Sequence, residues 1–407
     1  MRALIVGGSL AGLAAAAYLT RIGWQVEICE KSPTTLEGRG AGFVTHPELE
    51  QGLIAAGCDR AEVEQRLGVQ IPHRVVVDAQ GDVVDRYEYD QIFTSWGKIY
   101  GLLRDAAREV PIHYGAAFES LVDSDSSGNL PQDPIRARFS DGVVRETDLL
   151  IAADGLRSAV RAQVAPHAQP EYAGYVAWRG TPEERDMSAV THAALGEVFA
   201  FCIPPGEQML GYAVAGANGE VDAPHRRYNY VWYRPADETE LARLMTGTDG
   251  NVYRNGIAPQ LLRPQVVSEM QAAAHRLLSP GFAEIVDITP QPLIQPIFDL
   301  TSTQMRYHRV VLIGDAAFVA RPHVGMGVTK AVSDARTLAR LLDGGHDIDA
   351  ALDEYSRLRT VEGNRVIRRA RELGAYMQAQ NKSAEERAMA EKFRTPRAVL
   401  EHTATAF

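Results

Sequence analysis

The feature that most constrains the fold is a glycine-rich turn near the start of the chain. The apolar run 3–6 suits a buried parallel strand, the turn 7–12 has the sequence GGSLAG, and the alanine-rich stretch 13–20 predicts a helix that ends near Gly23. Such a turn between a strand and a helix brings free backbone N–H groups and the positive end of the helix dipole to one point. The sequence therefore predicts a Rossmann-like unit that binds a pyrophosphate.

The residues of this turn have separate physical tasks. Gly7 permits the tight turn, and Gly12 lets the helix pack close to the strand. Ser9 stands where a second glycine is usual, and its small side chain still allows a close approach. A second apolar run, 25–29, leads to Glu30, near the roughly 20-residue spacing of an acid that binds ribose hydroxyls. A solvated glutamate in an ordinary βα turn is the alternative interpretation.

Two later segments repeat the pattern of a buried strand followed by an Asp and Gly pair. The run 147–153 leads into DGLRSAVR (154–161), and the run 309–313 leads into GDAAFVARPHVGMG (314–327). Asp315 would lie at the carboxyl end of a parallel strand, where open α/β sheets bind ligands, and a carboxylate there can hold a polyol hydroxyl. The helical pattern after the third segment would direct a second helix N-terminus at the site, which favours the negative charge of a reduced flavin. Three such segments in this order favour FAD over NAD.

Length and composition narrow the class of protein. A chain of 407 residues exceeds what one core usually supports, so we expect at least two lobes. The net charge of -10 provides no general attraction for nucleic acid or anionic membrane, and no apolar run is long enough to span a bilayer. The three cysteines lack CxxC spacing and no two histidines have metal-ligand spacing, so neither a disulfide framework nor a metal site is indicated.

The cellular location and one charged cluster also carry expectations. The N-terminal stretch resembles a signal peptide, but its glycines belong to the nucleotide-binding pattern, so we expect a cytoplasmic protein with reduced thiols. Six arginines in a probable C-terminal helix are interpreted as a solvated helix face rather than a nucleic-acid patch. They are Arg357, Arg359, Arg365, Arg368, Arg369 and Arg371.

Taken together, the three segments resemble the fingerprints of the group A flavoprotein aromatic hydroxylases, which share the p-hydroxybenzoate hydroxylase fold. The matching sequences are GGSLAG (7–12), ADGLRSAVR (153–161) and GDAAFVARPHVGMG (314–327). The sequences YAGYVAWRG (172–180) and RPH (321–323) are similar to those of the dihydroxypyridine hydroxylases and related hydroxylases of N-heteroaromatic rings. The resemblance implies bound FAD, NADH or NADPH as a transient co-substrate, O2, and a small aromatic or N-heteroaromatic substrate.

The resemblance also implies which residues hold the cofactor: the glycine turn and Glu30 at the ADP half, the second segment at the shared FAD and NAD(P)H motif, and the third segment at the ribityl chain and flavin ring. The implied cofactor-binding residues are Gly7, Gly8, Ser9, Gly12, Glu30, Lys31, Arg39, Asp154, Gly155, Gly314, Asp315, Pro322, Gly325 and Gly327. Two positions depart from the family pattern, because Phe318 replaces a usual His and Tyr100 stands where an Arg is usual.

The expected architecture is an α/β fold with a Rossmann-like FAD-binding lobe, a mixed β-sheet substrate lobe and a C-terminal helical segment. Strand-like, aromatic-rich runs between the second and third segments, together with 69–89, predict the sheet lobe. The predicted FAD-binding domain comprises 1–70, 98–165 and 285–345, the substrate domain 71–97 and 166–284, and the helical segment 346–407. That last segment could cap the flavin lobe or form a homodimer contact.

The mechanism implied by the resemblance needs a proton path. In that family NAD(P)H reduces the flavin, O2 forms a C4a-hydroperoxide, and a hydroxylated ring attacks it more readily once deprotonated. The candidates for this path are His46, Tyr212 and His323. Each has a structural alternative: His46 as a helix cap, Tyr212 as a packed core residue and His323 as a support for the flavin. Cys202 is interpreted as a buried structural thiol rather than a pocket residue.

Other functions remain open at this point. A flavin-dependent reductase or dehydrogenase would use the same fold. The sequence FAFCIP (199–204) distantly echoes the WxWxIP signature of flavin-dependent halogenases, but both tryptophans are absent. A flavin-binding sensor without turnover is the alternative from another class.

Overall fold

A computed structural model describes residues 1–37, 42–122, 134–345, 347–380 and 383–405. The strands are β1 (Arg2–Val6), β2 (Gln25–Glu30), β3 (Gly42–Val44), β4 (Val69–Val77), β5 (Val83–Ser95), β6 (Ile112–Tyr114), β7 (Phe118–Leu121), β8 (Ile135–Phe139), β9 (Val144–Thr147), β10 (Leu149–Ala152), β11 (Glu171–Gly180), β12 (Phe199–Cys202), β13 (Gln208–Val214), β14 (Arg227–Pro235), β15 (Leu293–Asp299), β16 (Arg306–Tyr307) and β17 (Val310–Leu312).

The α-helices are α1 (Leu10–Arg21), α2 (Pro47–Ala56), α3 (Arg60–Arg66), α4 (Trp96–Ala106), α5 (Ala159–Val164), α6 (Ala189–Leu195), α7 (Glu238–Leu244), α8 (Pro264–Leu277), α9 (Pro280–Asp287), α10 (Gly327–Leu342), α11 (Ile348–Gly374), α12 (Ala384–Phe393) and α13 (Pro396–His402). Short 3₁₀ turns include Gly314–Ala316 and Pro322–Val324.

A six-stranded sheet contains the three predicted strands side by side. Its order is β16-β17-β10-β1-β2-β6, and all neighbours except β16 and β17 pair in parallel. The central strands are apolar throughout because they are buried on both faces, with α1 and α10 packed together beside them. This is the predicted Rossmann-like arrangement, and it aligns the carboxyl ends of β17, β10, β1 and β2 along one edge.

An eight-stranded mixed sheet forms the second part of the molecule, in the order β15-β11-β14-β13-β12-β4-β5-β3. Its neighbours pair antiparallel except for β12 and β4, which are parallel. One face packs against α6 to α9. The other face, called the inner face below, carries Tyr175, Tyr212 and Tyr233 and is covered by residues of the C-terminal helices. Strands β3 and β15 belong to this sheet, although the predicted boundaries assigned both to the FAD-binding domain. The domain division itself stays a prediction.

The C-terminal helices correct one expectation from the sequence. Arg357 is exposed, as a solvated face requires, but the Arg359 side chain is largely buried and its Nε lies 2.7 Å from Oδ1 of Asp334. Arg371 bonds the buried Asp299 through its Nε at 3.1 Å. The arginine cluster therefore includes links between α11 and the rest of the protein. Within the described residues, no helix is long and apolar enough to cross a membrane.

Candidate active site

The glycine turn after β1 has the geometry that the sequence predicts. Gly7 adopts φ +106°, and a Cβ on it would lie 2.5 Å from the carbonyl oxygen of Ala153. A Cβ on Gly12 would overlap the carbonyl oxygen of Gly7. Ser9 is the N-cap of α1 but accepts no side-chain capping bond, so it leaves N–H groups of the first helical turn available to a ligand.

A cleft of about 570 Å³ runs along the carboxyl ends of the four aligned strands. Its walls come from all three fingerprint segments, from α10 and from the loop after β6. The lining residues include Gly7, Ser9, Glu30, Lys31, Asp154, Gly155, Asp315 and Gly327, and also Leu36, Trp96, Ala116, Phe118 and Arg157, which the sequence reasoning did not single out. The cleft therefore brings most of the predicted cofactor residues together.

Glu30 lies at the end of β2 and is only 5% exposed. Its Oε2 accepts a hydrogen bond of 2.7 Å from the N–H of Gly8, and its Oε1 accepts one of 2.8 Å from the N–H of Ser32. These bonds fix the carboxylate beside the glycine turn, and each oxygen keeps a lone pair that a ribose hydroxyl could use. The neighbouring Lys31 lines the same end of the cleft with an exposed side chain.

Asp154 follows β10, and only one of its two carboxylate oxygens accepts hydrogen bonds. Its Oδ2 accepts hydrogen bonds from the N–H groups of Ala159 (2.7 Å) and Val160 (3.2 Å), whereas its buried Oδ1 has no partner. Burial raises the pKa of Asp154 above its usual range. Buried acceptors are normally hydrogen-bonded, so this free oxygen beside the cleft is suited to accept a hydrogen bond from a ligand hydroxyl or amide group.

Asp315 follows β17 directly and lines the cleft with an exposed side chain. The surrounding protein raises the pKa of Asp315 by burial, with Lys330 opposing that effect and Asp334 adding to it. The adjacent Gly314 is held from both sides: its N–H donates to Oδ2 of Asp334 at 2.9 Å, and its carbonyl accepts from Nζ of Lys330 at 2.8 Å. Together with Arg359, this buried network fixes the turn that carries Asp315, and the sequence reasoning missed it.

The predicted flavin-ring loop follows the turn that carries Asp315. Pro322–Val324 forms a 3₁₀ turn, and Gly325 follows with φ +65°. A Cβ on Gly325 would lie 2.5 Å from Cγ1 of Val44 and 3.3 Å from Nε2 of His46. Gly325 therefore lies against Val44 of β3 and His46, while Gly327 lines the cleft itself.

His46 precedes α2 and is 2% exposed. It is the N-cap residue of this helix and its carbonyl oxygen accepts from the N–H of Leu49 at 2.8 Å, but its side chain makes no capping bond. Its Nε2 is buried without a hydrogen-bond partner. Burial lowers the pKa of His46 and outweighs the charge of Glu48, which raises it; the charge of Arg74 acts in the same direction as burial, so the imidazole is neutral near pH 7.

Tyr212 is packed among aromatic side chains and hydrogen-bonded to the backbone. Its hydroxyl donates a 3.0 Å hydrogen bond to the carbonyl oxygen of Gly42, and its ring lies 4.3 Å from that of Phe93 and 5.2 Å from that of Phe199. Burial raises the pKa of Tyr212 far above its usual value. Its proton is committed to the backbone of β3, which favours the packed-core interpretation.

His323 joins the flavin-ring loop to the inner face of the large sheet. Its Nε2 lies 2.8 Å from the hydroxyl of Tyr175, and its ring lies 4.4 Å from that of Tyr233. Burial lowers the pKa of His323 to about 3, and the charges of Arg321 and Arg179 contribute. The imidazole is therefore neutral, and its buried Nδ1 has no partner.

Arg179 lies on the inner face of the large sheet, and the sequence reasoning gave it no role. It lies on β11 opposite Val231 of β14, two and four residues from Ala177 and Tyr175, so its side chain is on the inner face. Its positive charge lowers the pKa values of Tyr212 and Tyr233, where burial is the larger influence and raises them. The structure shows no ion pair for Arg179 among the described residues, and its buried Nε has no partner.

Three residues singled out in the sequence remain. Cys202 packs in the core between the large sheet and α6 to α9, away from the inner face, as the structural interpretation expected. Tyr100 is buried and stacks on Trp96 at 4.9 Å, so it supports a cleft residue where the family has an arginine. Arg39 lies outside the described residues.

Comparison with known proteins identifies the family. An FAD binding domain model matches residues 291–370, and an FAD binding domain-like model matches residues 172–299. The 2,6-dihydroxypyridine 3-monooxygenase of Paenarthrobacter nicotinovorans is 30% identical over 379 residues, which cover 93% of this chain and 91% of that protein. The chain belongs to the group A FAD-dependent aromatic hydroxylases.

Other members agree with this placement. The solved structure of 2,6-dihydroxypyridine-3-hydroxylase from Arthrobacter nicotinovorans superposes with a TM-score of 0.84 at 29% identity and 96% coverage of each chain. The 6-hydroxynicotinate 3-monooxygenase of Bordetella bronchiseptica is 24% identical over 393 residues, with 90% of each chain covered. The predicted fold class and family are thus confirmed.

The residues of the cleft fit the cofactor of this hydroxylase family. FAD is long and carries a pyrophosphate, a ribose and a polyol chain. The cleft offers a glycine turn that a Cβ would fill, two acids at separate strand ends, and an unpartnered acceptor on Asp154. FAD binding follows from the family and agrees with the chain's own geometry.

Proposed function

We propose that this hydroxylase uses NADH or NADPH and O2 to hydroxylate a hydroxylated N-heteroaromatic ring of the hydroxypyridine class. The observation that carries the proposal is the 30% identity to a 2,6-dihydroxypyridine 3-monooxygenase along nearly the whole chain. The similarity to a 6-hydroxynicotinate 3-monooxygenase supports the same substrate class. Because these relatives are monooxygenases, the proposal takes precedence over a reductase, a halogenase or a flavin sensor.

The cofactor residues have separate proposed roles. The turn at Gly7, Ser9 and Gly12 binds the pyrophosphate, Glu30 binds the adenosine ribose, and Asp315 binds the ribityl chain. Pro322, Gly325 and Gly327 line the flavin ring. When bound and reduced, FAD supplies the oxygen-activating chemistry. The support for these roles is the cleft along four strand ends and the fixed carboxylate of Glu30.

The proposed substrate position is between the inner face and the loop that carries His323. Three chemical groups there suit a planar, acidic ring: the guanidinium of Arg179, the aromatic rings of Tyr175 and Tyr233, and the neutral imidazole of His323. Arg179 stabilises the anion of a hydroxypyridine, because a half-buried cation whose Nε has no partner lowers the pKa of a ring hydroxyl beside it. The ring then donates electrons readily to the incoming oxygen.

The proposed proton acceptor is His46. Its Nε2 is free and its imidazole is neutral, as acceptance of a proton requires. Burial makes it a weak base on its own, so proton transfer depends on the ring anion being stabilised by Arg179. Tyr212 receives no catalytic role in this proposal, because its hydroxyl is bonded to Gly42.

The test is a substrate screen with the purified FAD-loaded protein. Hydroxypyridines, hydroxynicotinates and simple phenols are added singly with NADH or NADPH, and oxygen uptake and product mass are followed under ¹⁸O₂. The expected result is substrate-stimulated NAD(P)H oxidation with one ¹⁸O atom in a hydroxypyridine product. A product that forms only with halide would exclude the proposal. So would NAD(P)H oxidation in which no ring tested gains an ¹⁸O atom.

A further inference from the structure

A buried arginine that does not line the cofactor cleft links two distant parts of the chain. Arg74 lies on β4 and is 0% exposed. Its Nη1 donates to the carbonyl oxygens of Leu400 (2.8 Å) and Thr403 (2.7 Å), and its Nη2 donates to that of Ala404 (3.3 Å) and to Oε1 of Gln91. One side chain thus collects three carbonyl groups at the end of α13.

The charge of this arginine is balanced in an unusual way. Among the described residues, no carboxylate lies within ion-pair distance of Arg74. Its guanidinium lies instead 4.6 Å from the ring centre of Tyr89 and 5.2 Å from that of Phe199. The carbonyl groups at the end of α13 form the negative end of a helix dipole and compensate the charge. Because burial of a cation is costly, the position of α13 is what makes this arginine tolerable.

The segment held in this way reaches the proposed active site. The N–H of Ala404 donates a 2.7 Å hydrogen bond to the carbonyl oxygen of His323, and Nε2 of Gln91 donates to the carbonyl oxygen of Ala404 at 2.7 Å. A Cβ on Gly325 would lie 3.2 Å from Cβ of Ala404. Ala404 has φ +53°, so the chain turns sharply where it meets the flavin-ring loop.

We propose that Arg74 is a positioning residue that anchors residues 396–405 as a fixed wall against the flavin-ring loop. This wall keeps water away from the reacting groups, and its value to the enzyme rests on the hydroxylase function proposed above. With the wall in place, NADH, O2, a proton and the ring give NAD⁺, the hydroxylated ring and water. With water admitted, NADH, O2 and a proton give NAD⁺ and hydrogen peroxide, and the ring is unchanged.

The test compares the FAD-loaded wild type with Arg74→Met, Gln91→Leu and a matched control, Arg86→Met. Arg86 is an exposed neighbour on β5 whose side chain takes no part in the anchor. Hydrogen–deuterium exchange of 396–405 reports the anchor, iodide quenching of the flavin fluorescence reports solvent access, and hydrogen peroxide formed per NADH reports coupling. The two anchor variants should exchange roughly tenfold or more faster over 396–405. Both should also quench more strongly. Gln91→Leu, which leaves the charge of Arg74 near His46 in place, should in addition give more peroxide, while Arg86→Met matches the wild type.

Two outcomes would overturn the proposal. Unchanged exchange over 396–405 in Gln91→Leu and Arg74→Met would show that these side chains do not anchor the segment. Faster exchange with wild-type quenching would show that the segment is not a wall for the flavin. Gln91→Leu carries the test if Arg74→Met does not fold. If the wild type hydroxylates no ring, the proposed function fails, but exchange and quenching still decide on the wall because neither needs turnover.

Discussion

The cofactor cleft and the proposed substrate pocket are built by different means. The cleft is made largely from backbone: a glycine turn, the ends of four parallel strands and two helix N-termini, with a few carboxylates directed into it. The proposed pocket instead relies on side chains of the inner face of a mixed sheet, in particular Tyr175, Arg179 and Tyr233, and on the facing His323. Where the site is formed by the backbone, almost no substitution is tolerated. Where it is formed by side chains, single substitutions can change which ligand is bound. The following predictions test that contrast, from the largest effect to the smallest.

The strongest test of the backbone-built region is Gly12→Ala. The new Cβ would overlap the carbonyl oxygen of Gly7, so either α1 or the turn must move. We expect a loss of about 3 kcal/mol of stability, together with loss of bound FAD. Thermal unfolding and the ratio of flavin to protein absorbance measure both effects. Gly101→Ala is the control, since its Cβ would meet nothing within 4 Å and should leave both quantities intact. A Gly12→Ala protein that keeps its FAD would contradict the argument.

Arg179→Met tests the side-chain-built region. Removal of the unpaired guanidinium should lower kcat/KM for a hydroxypyridine roughly 10- to 100-fold, because a hydrogen bond to a charged partner is worth about 1.5–3 kcal/mol. FAD affinity should not change, since Arg179 is absent from the cleft walls. Steady-state kinetics and FAD titration provide the two readouts. Arg185→Met, at an exposed position, is the control. Equal losses in FAD affinity and in turnover would show that the two regions are not separate.

Asp315→Ala should produce a smaller effect, confined to the cleft. Loss of its bonds to the ribityl hydroxyls should weaken FAD binding roughly tenfold, with little loss of fold stability. Titration of the apoprotein with FAD measures the change. Asp343→Ala, at an exposed position after α10, serves as the matched variant. A mutant that retains FAD as tightly as the wild type would remove Asp315 from the set of cofactor ligands.

The pH dependence of stability should report on the pocket. His323 has a pKa of about 3 in the folded state, below its value in the unfolded state. Between these two values the unfolded state therefore binds a proton on His323 and the folded state does not. This contribution is complete above about pH 6.5 and is lost as the pH falls toward 3, by about 1.4 kcal/mol per unit in that window. Between pH 6.5 and 5.5 the wild type should therefore lose about 1 kcal/mol more than His323→Gln. Urea unfolding at both values measures the difference, and equal losses would mean that His323 does not titrate as stated.

The same contrast explains what the sequence could predict. The three fingerprints are local patterns in which strand, turn and helix follow each other, so the FAD cleft and the fold class could be inferred from them. The role of Arg179 depends on strands that meet only in the folded sheet. The roles of Arg74 and Arg359 depend on partners at 400–404 and at Asp334. Arg179 does lie in the motif 172–180, but the motif does not show which face of the sheet it occupies. Nothing adjacent in the sequence marks Arg74 or Arg359, and Arg359 was consequently assigned to a solvated face.

The strand order also has a consequence for biosynthesis. β1 is flanked by β2 and β10, and β10 requires β17, which begins at Val310. During translation the apolar edge of this half-built sheet remains unpaired until residues past 310 have left the ribosome. The nascent chain is therefore exposed to aggregation for most of its synthesis. A chaperone that holds the first third of the chain until Val310 has emerged should therefore raise the yield of flavin-loaded protein.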